Sequence, residues 1–181
     1  YGFAPDDDVR LVDFTATSDG ATFALDIRTL GPGDTRERFG PVFLPMVGRH
    51  NVLNATAALA MVHGLLPRVP LGPALAAFRG VRKRQEPKGV ASGVTVIDDF
   101  AHHPTAVRET IRAVRQRHPG ARLWAVFHPQ SNTSRRRIFQ EDYVTAFAGA
   151  DVAVLARVLR KKDGLAADAE PMAIFWSAMA K

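Results

Sequence analysis

The 181-residue sequence contains no cysteine. That excludes a disulfide framework and any thiolate metal centre, and it accords with a cytoplasmic setting. Long apolar runs are also missing: none approaches the roughly 20 residues of a membrane-spanning helix, and no basic-then-apolar signal peptide opens the chain. No membrane partner is expected. Aromatic residues make up 8% of the chain, with two Trp and two Tyr, and they are not interleaved with basic residues as stacking platforms would be. A nucleic-acid partner is therefore not expected, although the formal charge of +6 suits smaller anions such as nucleotides and phosphosugars. Neither GxxxxGKS nor GxxxxGKT occurs, so the chain carries no phosphate loop of that kind. Internal repeats and low-complexity tracts are absent too. What is present, 46% hydrophobic residues with 14 Gly and 12 Pro, suffices for one large or two small α/β domains.

The most informative stretch is Val94 to Thr105, VTVIDDFAHHPT. The β-branched run Val94 to Ile97 has the length of a buried strand. Pro104 suits the first turn of a helix, and Val107, Ile111 and Val114 then repeat at helical spacing. Asp98, Asp99, His102 and His103 thus gather where a strand ends and a helix begins. Ligands bind at that edge of open α/β sheets, because free N–H groups at a helix N-terminus favour anions.

Upstream, Leu11 to Thr15 and Ala21 to Arg28 read as antiparallel strands around the turn residues Ser18, Asp19 and Gly20, with Phe23, Leu25 and Ile27 alternating inward. A turn at Gly31 to Asp34 leads to a third strand near Arg38 to Leu44. The segment Gly48 to Leu66 predicts a helix with an apolar stripe of Leu53, Ala57, Met61 and Leu65. His50, Asn51 and Asn54 form its polar head. Capping explains His50 or Asn51 as well as a ligand role does, but Asn54 lowers helix propensity without capping anything. A second helix, Leu71 to Phe78, is expected to pack Ala74, Leu75 and Phe78. The basic cluster Arg82, Lys83, Arg84, followed by Pro87, Gly89, Ser92 and Gly93, reads as a hinge between domains.

Beyond that hinge, strands at Val94 to Ile97, Arg122 to Phe127 and Val152 to Leu155 alternate with helices at Thr105 to Arg117 and Ser134 to Ala148, which predicts a parallel βαβαβ unit. Phe139, Tyr143 and Phe147 form the buried stripe of the second helix, and a last helix is expected at Met172 to Lys181. The segment HPQSNTSRRR, residues 128–137, falls at the ligand-binding edge of that sheet. Three parallel strands make a thin sheet, and the chain opens on Tyr1 without an initiator Met, so a longer parent protein is expected.

Three motifs occur in one order: GRHNVLNATAA, the basic RKRQE, and VIDDFAHHPT followed by FHPQSNTSRR. Together they resemble the Mur ligase family, ATP-dependent enzymes that build the peptide stem of peptidoglycan. The resemblance implies that residues 1–82 are the end of a central P-loop-type ATP-binding domain, 83–93 a hinge, and 94–181 an incomplete carboxyl-terminal Rossmann-like domain that closes over the nucleotide. It implies ATP and Mg²⁺, with the phosphate loop and the main Mg²⁺ ligands upstream, so this segment alone is expected to be inactive. Asn51 and Asn54 would face the adenine, Arg84 would reach the nucleotide across the hinge, and Asp99, rather than Asp98, would hold the ribose hydroxyls. His102 would meet the incoming substrate, while His103 caps its helix; no metal site is expected from the histidine pair. DDFAHHPT is similar to the branches that act on UDP-N-acetylmuramate. Ser131 and Ser134 stand where the L-alanine-adding branch has arginines, so the loop resembles instead the recycling branch that attaches the murein tripeptide L-alanyl-γ-D-glutamyl-meso-diaminopimelate. In that case Ser131, Asn132, Thr133 and Arg135 would contact the tripeptide. The alternatives are the L-alanine ligase branch and a non-catalytic nucleotide-binding module.

Overall fold

Alternating apolar residues set the first three strands. In the computed structural model, which describes residues 1–29, 35–67, 69–129, 134 and 137–156, β1 (Val9–Ala16), β2 (Ala21–Arg28) and β3 (Arg36–Leu44) form an antiparallel sheet in the order β1-β2-β3. Each of the first and third strands is longer than the sequence pattern predicts, because backbone pairing extends to Val9↔Ile27 and Ala16↔Ala21 in the one and to Arg28↔Arg36 in the other. The turn expected at Gly31 to Asp34 lies outside the described residues.

Leu11, Phe23, Leu25, Val42 and Leu44 turn inward from this sheet and meet Val52, Ala55, Leu59 and Leu71 from two helices, α1 (Arg49–Leu65) and α2 (Leu71–Ala76). The buried side of α1 departs from the predicted stripe. Val52, Ala55, Thr56 and Leu59 are buried, whereas Met61 is 69% and Leu65 78% exposed. Residues four apart advance by about 40° around a helix of 3.6 residues per turn. A strict i, i+4 row therefore spirals off the core, and alternating steps of three and four keep to it. Buried Thr56 satisfies its hydroxyl by donating to the Val52 carbonyl at 2.9 Å. In α2, Leu71 is buried and Leu75 packs on the core, whereas Ala74 is exposed, as is Phe78, which lies past the helix end at Ala76.

The chain divides into two compact units, Tyr1–Arg82 and Lys83–Lys181. Within the second, the segment read as a hinge holds a strand: β4 (Glu86–Ala91) pairs antiparallel with β5 (Val94–Asp98). Ser92 and Gly93, the two loop residues, have φ of 49° and 77°. A two-residue hairpin turn of type I′ requires left-handed backbone at both positions, which the Ser-Gly pair supplies. Pro87 and Gly89, which suggested a linker, sit instead at an irregularity in the strand, where a missing N–H does little harm.

After β5 come α3 (Pro104–Arg117), β6 (Trp124–Phe127), a 3-10 turn at Arg137–Phe139, α4 (Gln140–Ala146) and β7 (Val152–Leu155). β6 and β7 pair in parallel. Among the described residues the parallel ladder contains these two strands, and β5 pairs with β4 rather than joining it. Val107 and Ile111 of α3, Tyr143 and Ala146 of α4 with the adjoining Phe147, and Phe127 and Ala153 of the strands form one buried cluster. This is an α/β architecture with helices packed on a parallel sheet. α4 starts later than predicted, with Glu141 and Asp142 in its first turn, where carboxylates complement the helix dipole and the preceding arginines would oppose it. The helix predicted at Met172 to Lys181 lies outside the described residues. Among the described residues no helix is long and apolar enough to cross a membrane.

Candidate functional site

The tip of β5 collects the polar residues that the sequence singles out in the second unit. Asp99 leaves the strand and turns its carboxylate back on the backbone. One oxygen, Oδ1, accepts the Ala101 N–H at 2.7 Å, and the other, Oδ2, accepts the Gln85 N–H at 2.9 Å. The Phe100 N–H donates to the Lys83 carbonyl at 2.9 Å. Segment 83–85 is thereby tied to the strand tip, with the Gln85 side chain buried and Arg84 exposed between its neighbours. Asp98 faces elsewhere. Its Oδ2 lies 3.6 Å from Lys88 Nζ, which also meets Glu86 Oε1 at 2.9 Å. The hydrogen bond that Lys88 donates to Glu86, then the charges of Glu86 and Asp98, hold the Lys88 ammonium above its ordinary pKa.

The two histidines diverge. His103 is the N-cap of α3: its Nδ1 accepts the Thr105 N–H at 3.3 Å, and its ring lies edge-on to Phe139. His102 is exposed, and its Nδ1 lies 2.9 Å from the Phe100 carbonyl. A carbonyl only accepts, so Nδ1 carries the proton, and in the neutral ring Nε2 keeps its lone pair. The backbone of His102 is held as well, because the Tyr143 hydroxyl donates to its carbonyl. Burial pushes the Tyr143 pKa up, which keeps that hydroxyl a donor. The sequence marked Tyr143 as core only. Its hydrogen bond spans 41 residues, and no local pattern reports such a contact. The Lys88 pairing was likewise invisible until the hairpin register placed Glu86 opposite Asp98.

In the first unit, the N-cap of α1 is Gly48, with φ of 96° and no side-chain cap. His50 and Asn51 therefore do not cap the helix. Asn51 Nδ2 donates to the Val47 carbonyl at 2.8 Å, which fixes the amide at the helix entrance. Asn54 is exposed one turn later. Ser131, Asn132, Thr133 and Arg135 lie outside the described residues. Ser134 is described and is buried. Among the described residues no three His, Asp or Glu side chains converge in a way that could hold a metal ion.

A family model described as Mur ligase, glutamate ligase domain matches residues 83–178. A UDP-N-acetylmuramate--L-alanine ligase of Rhodopseudomonas palustris is 41% identical over 159 residues, covering 87% of this chain and 33% of its own length. The chain thus spans about a third of the curated relatives it matches. The solved UDP-N-acetylmuramate-alanine ligase of Thermotoga maritima aligns over 98% of this chain and 36% of its own, with a TM-score of 0.70 at 22% identity. A murein peptide ligase of Psychrobacter arcticus aligns over 85% of this chain and 31% of its own, with a TM-score of 0.57 at 29% identity.

The relatives at about 40% identity correct the tripeptide expectation, since they are named for L-alanine. The loop comparison behind that expectation used Ser131 and Ser134 as substitutes for carboxylate-binding arginines. Ser134 is 1% exposed, so its small size reports packing within the unit and not the size of an incoming amine.

Proposed function

The chain belongs to the Mur ligase family, and we propose that it is part of an ATP-dependent ligase that joins L-alanine to UDP-N-acetylmuramate. The observation that carries this reading is the 41% identity to ligases of that name across 87% of the chain. Residues 1–82 correspond in this reading to the end of the ATP-binding domain, and residues from Lys83 onward to the glutamate ligase domain. A cytoplasmic setting, where ATP is available, goes with it.

In the proposed reaction the lactyl carboxylate oxygen attacks the γ-phosphorus of ATP, ADP leaves, and the alanine amine then displaces phosphate from the acyl phosphate to form the amide. Such a sequence depends mainly on positioning and charge neutralisation. Asn51 and Asn54 would act from α1 on the adenine, whose ring edge offers both donors and acceptors to an amide. Arg84 would supply a fixed positive charge to the phosphates. His102 Nε2, left as the acceptor by the Nδ1 contact to Phe100, would take the proton released when the ammonium of alanine becomes the attacking amine.

Phosphate release by the complete parent enzyme, supplied with ATP, Mg²⁺ and UDP-N-acetylmuramate, tests the proposal. Turnover that depends on L-alanine is expected. Turnover with the murein tripeptide and none with L-alanine overturns the amine assignment, and silence with both places the chain among nucleotide-binding modules without ligase chemistry.

A further inference from the structure

A phenolic hydroxyl in an apolar cluster adds little to packing, and it must find an acceptor or cost free energy. Tyr143 of α4 is 1% exposed, with its ring centroid 5.2 Å from that of Phe127 and 6.4 Å from that of Phe147. Such packing leaves the hydroxyl little freedom. It donates to the His102 carbonyl at 2.5 Å, across 41 residues. That carbonyl lies just outside α3. The His103 carbonyl, at the N-cap, already accepts the first helical bond, from the Val107 N–H at 2.9 Å. The side chain of His102 is exposed, and what it leans on is exposed too. Its ring meets that of Phe100 edge-on at 5.1 Å and its Nδ1 faces the Phe100 carbonyl, yet Phe100 is itself 53% exposed. Of these contacts, the one from the Tyr143 hydroxyl joins His102 to the buried cluster.

We propose that Tyr143 is a positioning residue for His102: its hydroxyl fixes the backbone from which the imidazole projects, and so sets where Nε2 meets the amine of the incoming amino acid. The proposal rests on the ligase reading above, in which Nε2 takes the proton released by the alanine ammonium. A proton acceptor must stand within hydrogen-bond reach of the group it serves, and a displacement of about 1 Å can cost on the order of a hundredfold in rate. An exposed ring on an exposed platform does not hold that tolerance. A backbone carbonyl bonded to a core side chain does, because the supporting group is itself locked by packing. Phenylalanine at position 143 fills the same space without the donor, so positioning and packing separate by experiment.

The test is a double-mutant cycle in the complete enzyme with Tyr143→Phe, His102→Ala and the double variant, read as kcat/KM for L-alanine and, separately, as KM for ATP. His102→Ala is expected to lower kcat/KM for L-alanine by about a hundredfold, as loss of a proton acceptor does. Tyr143→Phe is expected to lower it by about three- to tenfold, the effect of one hydrogen bond, and to leave KM for ATP within about twofold. In the His102→Ala background the Tyr143→Phe loss is expected to fall below about twofold, since residues acting as a unit are non-additive. A role confined to packing lowers the amount of folded enzyme and moves every substrate alike in both backgrounds. That result, or an unchanged kcat/KM for L-alanine in Tyr143→Phe, overturns the proposal and leaves the ligase reading standing. Unchanged L-alanine kinetics in His102→Ala overturn the role of His102 in that reading and the proposal with it. Should Tyr143→Phe fail to fold, as read by circular dichroism, 3-fluorotyrosine is placed at position 143, which keeps the ring and hydroxyl but makes the phenol more acidic. Turnover is then expected to fall at a lower pH than in the unsubstituted enzyme, because a phenolate cannot donate; coincident alkaline limbs overturn the proposal.

Discussion

The two units hold their strands in different ways. In the first, both sheet and helices contribute to one apolar cluster, and β2 sends Ala21, Phe23 and Leu25 into it almost without exposed surface. In the second, the buried cluster lies between α3, α4 and one side of β6 and β7, while Val96 of β5 is 52% and Val126 of β6 is 73% exposed. The tip of β5 is organised by polar contacts instead: Asp99 to two backbone N–H groups, His102 to Phe100, Tyr143 to His102. The contrast separates two tasks. Apolar burial is non-directional and stabilises an element without fixing one side chain to a fraction of an ångström. Charged and neutral hydrogen bonds at a strand tip contribute less free energy but define direction, which a binding site needs.

The largest effect that would break this contrast is expected at Phe23. Phe23→Ala removes a ring with 0% exposure and should destabilise the chain by about 3–5 kcal/mol, measured by urea denaturation. Val96→Ala, on a half-exposed strand face, should cost no more than about 0.5 kcal/mol. Similar losses at the two sites would show that the exposed face of the hairpin is covered in solution.

A smaller loss is expected where the polar network enters the second core. Tyr143→Phe keeps the ring and removes the donor to the His102 carbonyl, at a cost of about 1–2 kcal/mol. The same hydroxyl gives a pH dependence. Its pKa is raised by burial, so its contribution is fully present below the unfolded value of about 10 and is lost as pH rises through the higher folded value. Tyr143→Phe should remove that alkaline slope; an unchanged slope would assign it to other groups.

The smallest effect is acidic. Arg115, by a hydrogen bond of 2.7 Å to Asp151 Oδ2, and then the Leu123 N–H at 2.6 Å, hold the Asp151 carboxyl below its ordinary pKa. Stability from this link is therefore present above the ordinary carboxylate value of about 4 and is lost as pH falls through the depressed one. Asp151→Asn should flatten the acid limb of the stability profile, with a modest change because the groups are exposed to solvent. An acid limb identical in both proteins would remove Asp151 from it.

Much of the fold was legible because it follows local periodicity. The alternation of Phe23, Leu25 and Ile27 marked β2, Pro104 after His103 marked the start of α3, and the spacing of Tyr143 and Phe147 marked the buried side of α4. The strand hidden in residues 86–91 was not legible. Pro87 and Gly89 are poor strand formers, and only pairing with β5 overrides that preference. The buried side of α1 was misplaced for a related reason: an apolar row on a helix does not reveal which of two neighbouring rows the sheet beneath will cover. At the candidate site, the sequence singled out Asp99, His102 and His103 because they gather where a strand ends and a proline-started helix begins, the ligand-binding edge of open α/β sheets, and Arg84 through the family resemblance. Their division of labour was not visible there.

The sequence by itself determined the elements, the meeting of acidic and imidazole groups at one strand tip, and membership in a family whose motifs recur in a fixed order. These depend on residue type and spacing along the chain. Tertiary structure alone decided that Asp99 accepts the Gln85 and Ala101 N–H groups, that His103 caps a helix while His102 stays open, and that Tyr143 holds His102 in place. Each of these depends on where a donor from a distant segment arrives, and hydrogen bonds are decided by distance and angle in space.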